Sequence, residues 1–258
     1  MALLEWKSTK QLNVSQLFLA TFLPSAFAFT GFHLVLPKLT QGGIPTLIAW
    51  PLIASVMLAL FVIFAVLFMK KEAHSLSVSL KERFCIKSVS KKDWFITIGL
   101  VFLIIITSGI TSKVSIFLLD ITGYTVPEYM PFFLNPAINP MTSSMEQLSP
   151  GYDISGKLFL IIPMLITILL NVLTEDLYFR AWMQPKMAKY GKFAWIISGS
   201  LFAFYHTFQI WLLPTLLVAT CSMAYITQRT RSIIPSLTVH LLVNGLLGMA
   251  GMAAVIMK

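Results

Sequence analysis

Charged side chains are scarce in this chain. Only 11% of its 258 residues are Asp, Glu, Lys or Arg, whereas 57% are hydrophobic and the mean hydropathy is +0.82. A soluble domain carries about 25% charged residues. The deficit therefore excludes an ordinary soluble protein. It predicts an all-α polytopic membrane protein that forms a single integral-membrane domain over residues 1–258, with membrane lipid around it.

Cysteine and acidic residues are also few. Cys85 lies in a basic loop and Cys221 inside an apolar segment, so there is no CxxC pair, no disulfide is expected and a thiolate zinc site is excluded. Ten Asp and Glu stand against 19 Lys and Arg, which gives a net charge of +9. Because the basic residues lie between apolar segments, we attribute this charge to membrane orientation and expect no nucleic-acid partner.

Seven apolar stretches are long enough to cross a bilayer. They lie at about residues 16–36, 44–69, 94–112, 156–173, 193–210, 211–227 and 233–257. Each is near the ~20 residues that a helix needs to cross ~30 Å of hydrocarbon. The fourth could continue to about Met183, and only Trp211 and Pro214 separate the fifth from the sixth. We expect a bundle of about seven to eight transmembrane helices.

The basic residues predict the orientation of the bundle. If the loop at 70–92 is cytoplasmic, 14 Lys and Arg lie inside and 4 lie outside, with Arg180 left uncounted because it falls within a span. This pattern predicts a cytoplasmic N-terminus. Alternatively, Ala26-Phe27-Ala28 resembles a signal-peptidase site, and cleavage there would leave the later spans oriented alike. The outer loop at 120–155 is expected to form ordered turns or a short interfacial helix.

Polar residues interrupt three of the apolar segments. They are Glu175, Asp176 and Arg180, then His206, and finally His240 and Asn244. An ionisable side chain in hydrocarbon is costly unless it is paired or faces water, so it indicates a functional site. Counted at 1.5 Å per residue from the inner basic residues, the glutamate and both histidines lie at a similar depth of roughly 14–21 Å. We expect the three to meet in the inner half of the bilayer.

The spacing of these residues predicts which share a helical face. His240 and Asn244 are four residues apart and should lie on one face. Asp176 and Arg180 have the same spacing, so we expect them to pair as structural support or as part of a substrate-binding site. Glu175 would then point about 100° away, free to face a cavity. Arg180 could instead bind a carboxylate of the substrate.

These residues also form three motifs. Glu175-Asp176-Leu-Tyr-Phe-Arg180, Phe202-Ala-Phe-Tyr-His206 and His240-Leu-Leu-Val-Asn244 resemble, in order, the EExxxR, FxxxH and HxxxN motifs of the CPBP (Abi) family. That family contains the type II CAAX prenyl proteases and bacterial bacteriocin-processing or immunity proteins. The resemblance implies an intramembrane endopeptidase whose protease-like core lies in residues 156–257. The chain departs from the family at Asp176, where a second glutamate is usual.

The motif residues suggest a mechanism for peptide hydrolysis. The reaction needs an activated water, a donor for the developing oxyanion and a proton for the leaving amine. Glu175 would activate the water, and His206 would assist it. His240 and Asn244 would stabilise the oxyanion. The substrate would be a peptide or a membrane protein, and nothing in the chain indicates whether it is prenylated.

Metal-assisted chemistry is the alternative mechanism. His206, His240 and one carboxylate would give three ligands and an open water site, as catalytic zinc uses. The chain has no HExxH sequence, and using Glu175 as a ligand would leave the reaction without a base. We favour the glutamate–histidine mechanism without a cofactor, and zinc stays the alternative.

Two further functions compete with the protease hypothesis. A non-catalytic membrane scaffold or bacteriocin-immunity protein of the same fold would bind a partner, but it would not need the polar residues of all three motifs. A transporter with an intramembrane ion relay would show repeated halves or matching broken helices, and the sequence shows neither clearly. The remaining histidines, His33 and His74, receive no role.

Overall fold

The computed structural model describes residues 5–256, and at six positions between 246 and 255 it describes the backbone alone. Every regular element within residues 5–256 is a helix, which confirms the predicted all-α class. The ends of the predicted domain (residues 1–4 and 257–258) lie outside the described residues, as do the last residue of the seventh predicted span, Met257, and the outer basic residue Lys258.

The α-helices include four long ones and several shorter segments. They are α1 (Val14–Thr30), α2 (Leu36–Gln41), α3 (Thr46–Ser75), α4 (Leu80–Arg83), α5 (Lys91–Thr122), α6 (Met145–Leu148), α7 (Ile161–Glu175), α8 (Ala194–Tyr205), α9 (Leu213–Thr230), α10 (Ile234–His240) and α11 (Leu247–Ile256). π-Helices at Gly31–Val35, Asp176–Met183 and Leu241–Leu246 join some of them. 3₁₀-Helices occupy Trp6–Ser8, Phe132–Leu134, Leu158–Leu160, Gln184–Phe193 and Thr207–Leu212.

Local sequence explains where the long helices begin and end. Asn13 caps α1 by accepting from the backbone N–H of Gln16, whose side chain returns a bond to the Asn13 N–H. Ser90 caps α5 in the same position, and α5 ends at Gly123 with φ +65°, a left-handed conformation that glycine adopts without strain. Between these caps most residues are apolar, and most of the exposed side chains on α5 are aliphatic or aromatic, as expected of a helix in lipid.

Five helical runs in the described part of the chain are long and apolar enough to cross a membrane. They are Val14–Gln41, Thr46–Ser75, Lys91–Thr122, Leu158–Tyr205 and Thr207–Thr230. The 48-residue run from Leu158 holds both the fourth and the fifth predicted spans, because its helices continue through a kink at Gly191, where φ is +58°. The seventh predicted span corresponds to α10, a π-helix and α11, which are not among the five. The architecture is that of a polytopic helical membrane protein.

The predicted boundary between the fifth and sixth spans was wrong. We expected the break near Trp211, but α8 ends at Tyr205 and the chain leaves helical geometry at His206. A 3₁₀-helix with a kink at Gln209 follows, and α9 begins at Leu213. The apolar residues run on through this turn, so hydropathy does not mark it. The prediction that the fourth helical segment continues to about Met183 is confirmed.

The basic segments share one end of the bundle. The Gln11 side chain donates to the Pro185 carbonyl at 3.2 Å, and the Ile233 N–H donates to the Cys85 carbonyl at 3.1 Å. Arg229 forms an ion pair with Asp93 at 2.8 Å. These contacts bring the N-terminal segment, the α3–α5 connection, the 3₁₀-helix after the second π-helix and the α9–α10 turn together. Those are the segments for which the charge pattern predicts a common side of the membrane.

The segment at 123–157 covers the opposite end. It contains the 3₁₀-helix Phe132–Leu134 and α6, so the expectation of ordered turns with a short helix is confirmed. Trp211 Nε1 donates to the Leu134 carbonyl at 2.6 Å, and Phe132 packs in a small separate core with Leu148 and Leu160. The segment is therefore fixed to the bundle.

Candidate active site

The three predicted site residues that should meet lie at the ends of three α-helices. Glu175 is the last residue of α7, His206 follows α8, and His240 is the last residue of α10. Their exposed fractions are 2%, 6% and 4%. After each of them the backbone leaves α-helical geometry, into a π-helix, a 3₁₀-helix and a π-helix respectively. π-Helical turns occur frequently at functional sites.

Close helix packing holds these ends together. On α7, Thr174 Oγ1 donates to the Leu58 carbonyl of α3 at 3.2 Å. Helices α8 and α9 approach closely at Gly199, where a Cβ atom would stand 2.6 Å from Cys221 Cα, so only glycine fits. Thr220 Oγ1 donates to the Gly199 carbonyl at 2.8 Å across the same contact. The helices that carry Glu175 and His206 are thus fixed by packing rather than by loops.

The Glu175 carboxylate lies between the two imidazole rings. Its Oε1 is 3.7 Å from His206 Nε2, and its Oε2 is 3.7 Å from His240 Nε2. Both separations are longer than a direct hydrogen bond, and polar groups at such distances can share a water molecule. The structure therefore brings together the three residues for which the sequence predicts a common depth.

The second nitrogen of each imidazole has a fixed partner. His206 Nδ1 is 2.9 Å from the Phe202 carbonyl, and His240 Nδ1 is 2.7 Å from Asp176 Oδ2. A carbonyl or a carboxylate can only accept, so both Nδ1 atoms carry the proton and donate. Both Nε2 atoms then face Glu175. This arrangement fixes the orientation of each ring and keeps each Nδ1 protonated.

The predicted pair between Asp176 and Arg180 is wrong. Asp176 accepts from His240 Nδ1 and from the Ser236 hydroxyl, which form its hydrogen bonds. Asp176 thus bonds to two residues of α10, whereas Arg180 bonds to the Thr220 carbonyl of α9. Each side chain is held by partners on another helix rather than by the other.

Arg180 has different partners. It is fully buried, its Nη2 donates to the Thr220 carbonyl at 2.9 Å, and its guanidinium lies 4.6 Å from the centre of the Phe202 ring. Its Nε and Nη1 have no hydrogen-bond partner among the described residues. Arg180 thus connects the second π-helix to α9 through the Thr220 carbonyl and to α8 through the Phe202 ring.

Asn244 faces the same cavity as His240, as the sequence predicts. Its side-chain amide donates to Asn171 Oδ1 at 3.1 Å. Asn171 lies one helical turn before Glu175 and its side chain interacts with the Glu175 carboxylate. Sequence reasoning missed Asn171, although its four-residue spacing from Glu175 could have identified it. The same signal was available for Ser236, four residues before His240.

A cavity of about 390 Å³ opens in front of these groups. Asn171, Glu175, His206, His240 and Asn244 provide its main polar wall. The rest is mostly apolar and includes Phe27, Phe32, Trp50, Phe61, Phe133, Phe202, Tyr205 and Phe208. The aromatic residues of the stretch 202–208 are mostly buried, as core residues would be, and several of them also line the cavity.

The zinc alternative has little support in the geometry. Among the described residues, no group of three or more His, Cys, Asp or Glu side chains is placed to hold a metal ion. The candidate ligands Glu175, His206 and His240 have the right donor atoms, but the arrangement does not form such a group. The zinc hypothesis therefore rests on residue types alone and stays a prediction.

Comparison with known proteins agrees with the motifs. Residues 157–246 match the family model described as Type II CAAX prenyl endopeptidase Rce1-like, and the matched part contains all three motifs. The match confirms the predicted resemblance to the CPBP family, over residues 157–246 of an all-α membrane protein. No curated protein and no solved structure matches the chain.

Proposed function

We propose that this protein is an intramembrane endopeptidase that hydrolyses a peptide bond near the cytoplasmic face of a bacterial inner membrane. One observation carries the proposal: the buried Glu175 carboxylate lies 3.7 Å from the Nε2 atoms of both His206 and His240. The family match supports a protease in general terms. The spacing leaves room for one water molecule between the carboxylate and an imidazole.

Glu175 and His206 activate that water in the proposed mechanism. Because His206 Nδ1 donates to the Phe202 carbonyl, the Nε2 of the neutral ring offers a lone pair. A water molecule donates one O–H to this nitrogen and the other to Glu175, which takes the proton as the water attacks the peptide carbonyl. Glu175 then returns the proton to the leaving amine, acting first as general base and then as general acid.

His240 and Asn244 stabilise the oxyanion. His240 Nδ1 donates to Asp176, so Nε2 can donate only from a doubly protonated ring, whose charge the Asp176 carboxylate balances. Asn244 uses one amide N–H for Asn171 and retains a second for the oxyanion. Side chains of Asn and His are among the donors that form oxyanion holes.

Asp176 and Arg180 act as supports in this scheme. Asp176 holds His240 in its orientation, as a carboxylate holds the base in other hydrolytic sites. Arg180 is not among the described residues that line the cavity, and it packs against Phe202, which does. This favours structural support over binding of a substrate carboxylate.

The substrate is an apolar peptide segment or a membrane protein. The mostly apolar cavity wall supports this class, because a charged segment would meet few partners there. The basic end of the bundle faces the cytoplasm in this proposal, and the helical run from Glu175 leads to that end within 11 residues, at Lys186. No nucleic acid takes part.

Cleavage of a membrane-peptide library by the purified protein tests the proposal. Wild type, Glu175→Gln and His206→Ala are assayed with and without a chelator, and folding is monitored by thermal melting. We expect wild type to cut in the presence of chelator and Glu175→Gln to be inactive. Loss of wild-type activity with chelator, restored by added zinc, would establish the metal mechanism instead.

A scaffold or immunity role is the second candidate, because the fold would also hold a bound peptide without cleavage. A growth phenotype that depends on the chain separates the two functions. If Glu175→Gln complements a deletion as well as wild type does, the scaffold function is correct and the protease proposal is wrong.

A further inference from the structure

His33 lies outside the three motifs and outside the matched residues 157–246, yet its local structure resembles theirs. It belongs to the π-helix Gly31–Val35. The other two π-helices within residues 5–256 begin directly after Glu175 and directly after His240. Phe32, beside His33, lines the same cavity. The family motifs do not explain why a π-helix that contains His33 lies beside this cavity.

The His33 ring connects three segments. Its Nε2 is 2.9 Å from the Phe208 carbonyl, and its Nδ1 is 2.8 Å from the Tyr129 hydroxyl. Because the carbonyl can only accept, Nε2 carries the proton and donates, while Nδ1 accepts from Tyr129. The ring also stacks on Phe29 at 4.3 Å between centroids. Both ring nitrogens of His33 thus form hydrogen bonds to other residues.

The carbonyl that His33 binds lies beside a break in the backbone. His206 has φ −83° and ψ 39°, and Gln209 has φ −140° and ψ 47°, so the chain leaves helical geometry twice within four residues. Carbonyls at such breaks need donors from elsewhere in the protein. His33 supplies one at Phe208, and Ser25 makes a second bond to this turn, 2.7 Å from Thr207 Oγ1.

The turn that His33 and Ser25 bind in this way contains His206 and its neighbour Phe208. The Phe208 ring is 5.5 Å from the His206 ring and 4.7 Å from the Phe32 ring. We propose that His33 is a positioning residue of the active site: by donating to the Phe208 carbonyl it fixes the turn that directs His206 Nε2 toward Glu175. The expected effect on the rate rests on the proposed function, whereas the expected effect on the position of the His206 ring does not.

Kinetics of three variants test the role. His33→Ala removes the donor, His33→Gln can still donate to a carbonyl and accept from a hydroxyl, and His74→Ala removes an exposed histidine at the basic end. A small misplacement of a catalytic group costs roughly ten- to a hundredfold in rate. We expect kcat of His33→Ala to fall at least tenfold with little change in KM, His33→Gln to recover most of it, and His74→Ala to match wild type.

NMR of histidine-labelled protein supplies a readout that does not need activity. The chain has four histidines, and the His206 imidazole signals are assigned by their loss in His206→Ala. We expect these signals to shift in His33→Ala and to return toward wild type in His33→Gln. If wild type cuts no peptide, the proposed function fails and this shift still decides the positioning role.

Three outcomes would overturn the inference. The first is a folded His33→Ala protein whose His206 signals are those of wild type. The second is a His33→Gln protein as impaired as His33→Ala, because the effect would then not depend on the hydrogen bond. If His33→Ala does not fold, His33→Phe keeps the stacking on Phe29 without the hydrogen bonds, and failure of both to fold would show a general structural role.

Discussion

Glu72 and Glu175 both lie among the helices of this bundle, but their surroundings are opposite. Glu72 binds Arg83 Nη2 and Lys186 Nζ at 2.5 Å each, and it also accepts from Trp182 Nε1 at 3.3 Å. Glu175 has its two nearest imidazole nitrogens at 3.7 Å. The first carboxylate has its acceptor positions filled by cations, whereas the second keeps capacity for a water molecule.

The difference separates a structural carboxylate from the one proposed to be reactive. Arg83, which binds Glu72, is fully buried and also donates to the Ala181 carbonyl at 2.6 Å, so this cluster secures the second π-helix. That π-helix begins directly after Glu175. The cluster at the basic end thus stabilises the backbone that directly follows Glu175. Four substitutions test this distinction, from the largest expected effect to the smallest.

Glu175→Gln should abolish cleavage. The amide cannot take a proton from water, so we expect the rate to fall by about 10³-fold or more, equivalent to about 4 kcal/mol of transition-state stabilisation. Initial rates on a cleaved library peptide measure the effect. Glu128→Gln, which changes an exposed glutamate in the outer segment, is the matched control and should cut like wild type. Activity of Glu175→Gln above a tenth of wild type would contradict the mechanism.

Glu72→Gln should act on stability instead. It leaves Arg83 and Lys186 without their carboxylate, and breaking a buried pair costs about 3 kcal/mol where one partner keeps some access to water. We expect a melting temperature several degrees lower, measured by thermal unfolding in detergent. Lys81→Ala, an exposed change on the neighbouring α4, should leave the melting temperature unchanged. Equal melting of Glu72→Gln and wild type would show that the cluster is not structural.

Asp176→Asn should lower the rate by about 10²-fold, because the amide no longer balances the charge of the doubly protonated His240 ring. The conservative control is Asp176→Glu, which restores the residue usual in the family and should retain more activity than Asp176→Asn. Steady-state kinetics of the pair measure this. If both variants behave alike, the charge at this position does not contribute to the reaction.

Ser236→Ala should have the smallest effect. It removes one hydrogen bond to Asp176, which is worth about 1 kcal/mol, so we expect a fall in rate of about fivefold. Thr238→Ala is the control on the same helix, since the Thr238 hydroxyl donates back to the Ile234 carbonyl and, among the described residues, to no group of the site. The comparison of their kcat values is informative only if both melt like wild type. A Ser236→Ala rate equal to that of Thr238→Ala would separate Ser236 from the site.

The sequence predicted the all-α class and the meeting of three site residues because both depend on coarse quantities. Length and hydropathy identify helices in lipid, and counting residues from Lys186, Lys192 and Arg231 gives depth. These estimates tolerate an error of several residues. They could not show that two predicted spans share one helical run, because the helices continue through the polar residues around the kink at Gly191, where hydropathy falls. They also could not mark the turn after His206, because the apolar residues run on through it.

The same four-residue spacing gave one correct contact prediction and one wrong one. It placed His240 and Asn244 on one cavity, across the π-helix Leu241–Leu246. It failed for Asp176 and Arg180, because residues of other helices bind both side chains. His33 was given no role, since its partners Tyr129 and Phe208 are distant in sequence and no motif connects them. Such contacts follow from tertiary packing rather than from local spacing.

The melting temperature of Glu175→Gln, measured beside Glu72→Gln and wild type, tests the central claim most directly. A carboxylate kept for chemistry contributes little to stability, and replacing it often stabilises the protein. We predict that Glu175→Gln melts at or above the wild-type temperature while Glu72→Gln melts below it. If Glu175→Gln loses as much stability as Glu72→Gln, Glu175 is a structural ion-pair partner, and the distinction between the two carboxylates is wrong.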